Sequence, residues 1–199
     1  SSIGYARTKG RAEAAIRSIL PDAVVLRPSI VFGPEDDFFN KFAGMARTLP
    51  FLPLIGGGKT KFQPVYVEDV AEAVARSVDG QLKPGATYEL GGQDVLTFRQ
   101  CLEAVLEATY RERPMVNLPF GIASLMGSVA SLIPLIKPPF TSDQIALLKN
   151  DNVVSAEAEK AGLTLEGMGI TPVRITSVLS SYLVSYRPHG QFSNAGKAA

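Results

Sequence analysis

The run AVVLRPSIVFG, residues 23–33, most constrains what this chain can fold into. Its β-branched and aliphatic side chains do not alternate with polar ones, a pattern typical of a strand buried on both faces of a parallel sheet. Gly33 and Pro34 then end the run. A segment rich in Ala, Arg and Glu precedes it at 5–20 and predicts a helix that stops before Pro21. Together these patterns indicate an α/β architecture.

Helix and strand patterns continue to alternate after this run. Only two or three of the strand patterns are long and apolar, whereas a parallel sheet typically contains about five or six strands. We therefore expect part of an α/β sheet, missing its beginning, with a helical lobe attached. The sequence predicts helices at 35–49, 68–80 and 97–112, with later ones starting near 141, 155 and 172, strands at 64–67 and 87–92, and a loop at 50–63.

The charge balance and the single cysteine limit the functions open to the chain. Its 199 residues include 20 Lys and Arg against 19 Asp and Glu, a formal net charge of +1. No strong field of either sign is present to attract nucleic acid or an anionic membrane, so we predict no nucleic-acid partner. Cys101 is the only cysteine and cannot form an internal disulfide, and the first residues lack the apolar core of a signal peptide. These features favour a reducing, cytoplasmic location.

One long segment, residues 115–136, contains no charged side chain. Its length would suffice to span a bilayer, but Pro119 and Pro134 interrupt it. Between these prolines the apolar side chains follow helical spacing, and three serines fall on the opposite face. We therefore predict an apolar helix at 119–136 that lies over a core or against a protein partner. Contact with a membrane surface is the alternative.

Tyr5 and Lys9 form the pair of side chains with the clearest catalytic potential. Positions four apart share one face of a helix, so both can point into one cleft. An ammonium group beside a phenol stabilises the phenolate and lowers a tyrosine pKa toward neutrality. Such a tyrosine can exchange a proton with a substrate hydroxyl while a hydride moves to or from a nicotinamide. A solvated helix face that happens to carry a Tyr and a Lys is the alternative interpretation.

Several phrases follow this pair in a fixed order, namely LRPSIVFGP, a glycine-rich loop, VYVEDVAEAV and YELGG. The series resembles the extended or atypical branch of the short-chain dehydrogenase/reductase superfamily. The resemblance implies the C-terminal part of a Rossmann-type doubly wound parallel sheet plus a small, mainly helical substrate-side lobe, with NADP or NAD as cofactor. It also implies site residues: Tyr5 as catalytic acid/base, Lys9 as its activator, both at the cofactor's ribose, and Pro28, Ser29 and Ile30 at the nicotinamide end.

The same resemblance implies how the chain is divided. Residues 1–110 would form the C-terminal half of the NAD(P)-binding domain, interleaved with segments of the substrate lobe. Residues 111–186 would form a mainly helical C-terminal lobe, and 187–199 a disordered tail.

A narrower resemblance extends through about residue 185. The phrases TKFQPVYVEDVAEAV and TSDQIALLKNDNVVS, and the spacing to TFRQCLEAVLEA, are similar to the accessory subunit of respiratory complex I that has this fold, and to its bacterial relatives. In that group the nucleotide has a structural role. Two functions therefore stay open. One is an oxidoreductase or epimerase-like protein that uses a nicotinamide nucleotide, and the other is a non-catalytic NADP(H)-binding accessory or assembly subunit.

Parts of the superfamily pattern are missing from the sequence. It has no GxxGxxG, whose glycines let a pyrophosphate approach a helix N-terminus. Ser1 and Ser2 are too close to Tyr5 to supply the catalytic Ser or Thr that lies well upstream in the family. Phe62 stands where sugar-nucleotide epimerases carry a phosphate-binding arginine, which disfavours a nucleotide-sugar substrate. We therefore predict that the chain lacks the glycine-rich half and is inactive alone.

Other candidate motifs have simpler interpretations. GGGKT at 56–60 ends like a phosphate-binding P-loop, but Pro53 stands where that motif needs glycine and no predicted strand leads into it. His189 is the only histidine, so neither a His-based triad nor a multi-His metal site can form. The acidic pairs Asp36–Asp37 and Glu68–Asp69 suit helix N-termini. We predict no metal site.

Overall fold

The computed structural model describes residues 4–123 and 142–192, apart from the side chains of residues 5, 6, 142 and 143. The helices are α1 (Gly4–Ile19), α2 (Phe38–Thr48), α3 (Val67–Val78), α4 (Phe98–Thr109), α5 (Ser142–Leu147), α6 (Ala156–Lys160) and α7 (Ile175–Tyr182). The strands are β1 (Val25–Pro28), β2 (Val31–Phe32), β3 (Leu52–Ile55), β4 (Lys61–Phe62), β5 (Val65–Tyr66), β6 (Thr87–Leu90), β7 (Leu96–Thr97) and β8 (Met115–Leu118).

Parallel pairing dominates among the described strands. β1 pairs with β6, β2 with β5 and β3 with β8, all parallel, whereas β4 and β7 are antiparallel. Strands that pair in parallel need a crossover connection, and helices supply much of it here. The α/β class predicted from the sequence is therefore confirmed.

The apolar run at 23–33 forms two short strands, not one strand buried on both faces. β1 pairs with β6 and β2 with β5, so the chain changes partner at residues 29–30. Pro28 lacks the N–H group that a continuing strand would donate. Arg27 and Pro28 are exposed. The predicted double-sided burial is wrong for β1, because Val25 and Leu26 are only partly buried and the two residues after them are exposed.

The segment predicted as a loop at 50–63 contains β3 and β4. β3 pairs with β8 over four residues, from Leu52 opposite Met115 to Ile55 opposite Leu118. The proline within this strand and the glycines after it are typical of a loop. Its pairing partner also lies far along the chain, so no local pattern indicates a strand here. β3 also leads directly into the GGGKT loop, contrary to the prediction. A 3-10 turn at Gly56–Gly58 and then β4 follow instead of an α-helix, so the strand, loop and helix order of a P-loop does not form.

The described residues form two hydrophobic cores. The larger one joins α2, α4 and α7 to β3, and its centre is a set of phenylalanines whose ring centroids lie 4.9 to 6.4 Å apart: Phe32, Phe38, Phe39, Phe42, Phe62 and Phe98. Burying each phenylalanine side chain contributes about 1.5–3 kcal/mol. The smaller core packs Val65 and Leu90 against Leu165 and Ile170. Residues of the predicted C-terminal lobe therefore take part in the sheet-side core.

Helix α4 follows its sequence signals closely. Thr97 Oγ1 accepts a hydrogen bond from the Gln100 N–H at 3.2 Å, and Gln100 Oε1 accepts one from the Thr97 N–H at 2.8 Å. This reciprocal capping box makes Thr97 the N-cap of α4. Cys101 is fully buried on the inner face, and burial raises the pKa of its thiol to about 12. It is a core side chain and not a reactive thiol.

Most of the apolar helix predicted at 119–136 falls outside the described residues. The described start of the segment consists of β8 and a helical turn at 120–123, in which Ile122 is exposed and Ala123 is buried. None of the helices in the described ranges is long and apolar enough to cross a membrane. At the other end, Arg187 donates hydrogen bonds to the Ala108 and Ser180 carbonyls, so the predicted disorder does not begin at 187. Residues 193–199 are not described.

Gly92 lets the backbone at Pro64 approach closely, so a substitution of Gly92 tests the packing. A Cβ atom there would lie 1.8 Å from the carbonyl oxygen of Pro64. We expect Gly92→Ala to lower the free energy of unfolding by about 1–3 kcal/mol, the usual cost of overpacking. Gly10→Ala is the control, because nothing lies within 4 Å of its added Cβ on α1. It should raise stability by about 0.5–1 kcal/mol. Urea unfolding followed by circular dichroism measures both, and equal effects would contradict the packing.

Candidate functional site

A cleft of about 660 Å³ opens at the carboxyl ends of β2 and β5. Residues 30–38 form one wall and residues 66–68, at the start of α3, form the other. Gly33 lets the two walls meet, because a Cβ there would lie 2.7 Å from Val67 Cγ1. Ligands of open parallel sheets bind outside the carboxyl ends of the strands. This cleft is therefore the candidate site.

Asp36 fixes the wall formed by residues 33–38. Its Oδ1 accepts hydrogen bonds from the backbone N–H groups of Phe39, at 2.5 Å, and Asn40, at 3.1 Å. These groups belong to the first turn of α2, so the helix N-terminal role predicted for Asp36 is confirmed. Its Oδ2 accepts from the Gly33 N–H at 3.3 Å and from the Tyr182 hydroxyl at 2.5 Å. One carboxylate thus joins the cleft wall, α2 and α7.

Tyr182 and Tyr66 hold their protons tightly. Burial, the hydrogen bond to Asp36 and the negative charge of Asp36 together raise the pKa of Tyr182. Burial raises the pKa of Tyr66 as well, and Glu68 adds to the effect. The Tyr66 ring packs on Phe32 with centroids 5.4 Å apart. Both phenols are therefore hydrogen-bond donors near neutral pH and not proton acceptors.

The two acidic residues at the start of α3, Glu68 and Asp69, have different roles. Both residues lie in the first turn of the helix, as predicted. Glu68 lines the cleft, whereas Asp69 is buried and accepts a hydrogen bond from the Val173 N–H at 2.9 Å. Burial raises the pKa of Asp69. Over the described part of the chain, no group of three or more His, Cys, Asp or Glu side chains could hold a metal ion.

The three residues predicted at the nicotinamide end occupy different surroundings. Pro28 is exposed at the end of β1, and Ile30 lines the cleft. Ser29 N–H donates to the Leu90 carbonyl at 2.9 Å, and its hydroxyl donates to the Asn152 carbonyl at 2.8 Å. The Ser29 hydroxyl thus anchors the turn between β1 and β2. Only Ile30 of the three lines the cleft.

Gln63 is a site-supporting residue that the sequence patterns do not predict. Its side-chain amide donates to the Gly92 carbonyl at 2.9 Å and accepts from the Val154 N–H at 2.9 Å. It thereby joins the end of β4, the turn after β6 and the segment before α6. All its partners are backbone atoms far away in the chain, so no local pattern marks this glutamine.

Helix α1 lies along β1 and β6 with a defined direction. Arg17 donates to the Thr87 hydroxyl at the start of β6, and Glu13 pairs with Arg27 near the end of β1 at 2.5 Å. The helix therefore runs antiparallel to the strands. Lys9 is one turn further toward the carboxyl end of β1 and is exposed. Residue 5 continues the same helical spacing, but the Tyr5 side chain is outside the described residues.

The parallel strand pairs, the cleft at their carboxyl ends and the adjoining helix that carries Y-x-x-x-K agree with the Rossmann-type fold expected for an extended short-chain dehydrogenase/reductase. UDP-glucose 4-epimerase from Thermus thermophilus, solved in complex with NAD, shares it with a TM-score of 0.56 and 18% identity. The match covers 90% of this chain and 51% of the epimerase. The predicted fold class is confirmed.

The proteins that are similar in sequence point to a narrower group than those that are similar only in structure. NADH dehydrogenase (ubiquinone) 1 alpha subcomplex subunit 9 from Arabidopsis thaliana is 37% identical over 92% of this chain and 47% of its own length. The 40 kDa subunit of NADH-ubiquinone oxidoreductase from Neurospora crassa is 30% identical over 96% of this chain and 49% of its own length. No protein-family model matches the chain. The resemblance to the complex I accessory subunit is confirmed, and the chain spans about half the length of these relatives.

The comparisons also correct one prediction. Both relatives are mitochondrial proteins. The expectation of a cytoplasmic protein, which rested on the single cysteine and the absence of a signal peptide, is therefore wrong. A reducing environment and a missing secretory signal do not distinguish the cytosol from the interior of an organelle.

The Tyr182–Asp36 hydrogen bond gives a direct test of the cleft wall. Tyr182→Phe removes a donor to a charged acceptor and should lower the free energy of unfolding by about 1.5–3 kcal/mol. Tyr186→Phe is the matched control, because among the described residues its contacts are made by its ring and its backbone carbonyl and none by its hydroxyl. It should change stability by less than about 0.5 kcal/mol. Equal losses in chemical denaturation would contradict the assigned bond.

The same phenol predicts a pH dependence. Because the pKa of Tyr182 is raised on folding, the folded protein keeps this proton at pH values where the unfolded chain releases it. The stability of the wild type should therefore fall as the pH rises above about 10, the usual tyrosine pKa. The difference between wild type and Tyr182→Phe should shrink over the same range. Unfolding at pH 8 to 11 measures it, and a constant difference would oppose the assignment.

Proposed function

We propose that the chain is part of an accessory subunit of NADH:ubiquinone oxidoreductase that holds a nicotinamide nucleotide and acts through protein contacts. The observation that carries the proposal is the match to such subunits from a plant and a fungus, at 37% and 30% identity, over 92% and 96% of the chain. The epimerase that is similar in structure is only 18% identical and supports only the fold. Of the two functions left open by the sequence, these matches favour the accessory subunit.

The composition of the cleft supports a nicotinamide at this site. Its walls combine apolar and aromatic groups, including Ile30, Pro34 and Tyr66, with the carboxylates of Glu35 and Glu68. Such a lining suits a flat ring that is neutral or positively charged and disfavours a pyrophosphate. Ile30 and Tyr66 would contact the ring. A bound nicotinamide supplies hydride chemistry, and in an accessory subunit it would serve to order the walls.

A second candidate function is catalysis by Tyr5 and Lys9. The direction of α1 favours it, because the Arg17–Thr87 and Glu13–Arg27 contacts direct the amino end of the helix toward the edge where the cleft opens. Lys9 would bind the ribose and lower the pKa of Tyr5, which would then exchange a proton with a substrate hydroxyl. The same two residues can persist in a non-catalytic protein to hold the ribose. The placement of Pro28 and Ser29 at the nicotinamide end stays a prediction from the resemblance, since Ile30 is the only one of the three in the lining of the cleft.

Tyr5→Phe separates the two functions. In the accessory role, this variant should enter the NADH dehydrogenase complex as well as the wild type, and neither should show substrate-dependent turnover of NADH or NADPH. Native gel electrophoresis measures incorporation and absorbance at 340 nm measures turnover. Turnover by the wild type that falls at least a hundredfold in Tyr5→Phe would instead establish catalysis, because general acid–base groups contribute about 10²–10⁴ in rate.

Lys9→Met tests the nucleotide site independently of catalysis. Loss of a charge-assisted hydrogen bond, about 1.5–3 kcal/mol, should lower nucleotide affinity roughly ten- to a hundredfold. Lys83→Met is the control, since Lys83 is an exposed lysine near the opposite, amino end of β6. Nucleotide released from the purified complex by denaturation in neutral organic solvent identifies NAD or NADP in either redox state and measures its occupancy. Equal occupancy in both variants would remove Lys9 from the site.

The 199-residue chain alone should bind NADH and NADPH no tighter than millimolar. Its sequence has no GxxGxxG to receive the pyrophosphate, and the described cleft offers acidic groups instead. Calorimetric titration with each nucleotide tests this expectation. Micromolar binding would show that phosphate contacts come from residues not assigned to them.

A further inference from the structure

A surface apart from the cleft combines exposed apolar side chains with arginines. Its apolar part is one face of the β3–β8 pair. Pro53 lies opposite Val116, and side chains alternate along a strand, so Phe51, Pro53 and Val116 share a face. Leu52 and Leu54 point to the other face and are buried in the larger core. Phe51 and Val116 remain 41% and 48% exposed.

Three arginines gather at the amino end of this face. The Arg113 side chain donates from Nε to the Leu49 carbonyl at 2.9 Å. The Arg111 side chain donates from Nε to the Tyr186 carbonyl at 2.7 Å, and the Arg47 guanidinium lies 5.6 Å from the centre of the Tyr186 ring. We call this surface the arginine patch; its residues are Arg47, Leu49, Phe51, Arg111, Arg113 and Val116.

The charges of the arginine patch are not neutralised within the described chain. None of its three guanidinium groups forms an ion pair with a described carboxylate. Burial and the positive charges of Arg113 and Arg47 lower the pKa of Arg111. Glu112, exposed between Arg111 and Arg113, is the one acidic residue in this stretch. The patch therefore keeps an excess of positive charge, three arginines against one carboxylate, in a chain whose formal net charge is only +1.

We propose that the arginine patch docks a protein partner that presents carboxylate side chains beside apolar ones. The proposal rests on the proposed function and names the partner class of the accessory subunit. Arginine forks bind carboxylates through two parallel hydrogen bonds, and each guanidinium here still has N–H groups beyond those bonded to backbone carbonyls. Phe51, Leu49 and Val116 supply the apolar area that such an interface buries.

The chemistry of the patch favours this occupant over two others. A second copy docked through the same patch would bring three arginines against three arginines, with only Glu112 on each side to compensate, which costs energy. An anionic bilayer attracts lysine and arginine alike, but the patch contains no lysine. Arginine and aromatic side chains are enriched in protein interfaces, and lysine is depleted there. The arginine patch combines arginine with an aromatic side chain and lacks lysine, which is the composition typical of a protein interface.

Charge reversal tests the proposal in the assembled complex. Arg47→Glu/Arg113→Glu should lower incorporation of the protein into the NADH dehydrogenase complex at least tenfold. Lys83→Glu/Lys160→Glu changes the net charge by the same amount at two exposed lysines elsewhere, and should incorporate normally. Thermal unfolding of each variant separates a docking defect from a folding defect. If both double variants incorporate like the wild type, the arginine patch is not the docking surface.

Conservative exchange then identifies the partner chemistry. Arg47→Lys/Arg113→Lys keeps the charge and adds amines that carbodiimide joins to carboxylates within contact distance. Cross-links from these lysines to Asp or Glu of another subunit, located by mass spectrometry, are expected in the complex. Wild-type binding to vesicles of phosphatidylcholine and cardiolipin that is lost on charge reversal, with incorporation unchanged, would overturn the protein partner in favour of a membrane. Absence of the wild type from the complex would overturn the proposed function itself.

Discussion

The carboxylate of Asp36 is the interaction on which the site depends. Its two oxygens accept hydrogen bonds from the turn after β2, from the first turn of α2 and from Tyr182 at the end of α7. A carboxylate with this many donors is held in one orientation, and it holds its donors in return. The loop that walls the cleft is therefore fixed to α2 and α7, two helices of the larger core. The shape of the site and the packing of the core share one anchor.

Local signals in the sequence predict local structure well. The Ala- and Arg-rich segment forms α1, and the Thr97–Gln100 pair starts α4, because a helix satisfies its hydrogen bonds within a few residues. The strands β3 and β8 were not predicted. Each is short and contains or adjoins proline, and it becomes a strand only through pairing with a distant segment. The same limit explains why the run at 23–33 has the pattern of one strand, since the change of partner at 29–30 is a tertiary event.

The candidate site likewise has parts that local patterns predict and parts that depend on distant contacts. The Tyr5/Lys9 pair and the phrase around Ile30 are contiguous patterns, and the sequence alone suffices to recognise their resemblance to a known superfamily. The contacts that fix the cleft join residues far apart: Tyr182 is 146 positions from Asp36, and Asn152 is 123 positions from Ser29. No spacing rule connects such pairs. A tyrosine near the end of a helix and an asparagine in a loop acquire their roles only when the fold brings them to the sheet.

The return of Asn152 to the sheet has a consequence for biosynthesis. Its backbone accepts from Ser29 and Gln63 and donates to the Lys61 carbonyl, and it forms a parallel bridge with Phe62. A ribosome that has made β1 to β8 has therefore produced every described strand of the cleft but not the segment that ties them together. The early part of the chain must wait, partly assembled, until that segment and then α7 emerge. Any arrest of translation in this interval releases a chain with its sheet edges open, which is the species that quality control would have to recognise.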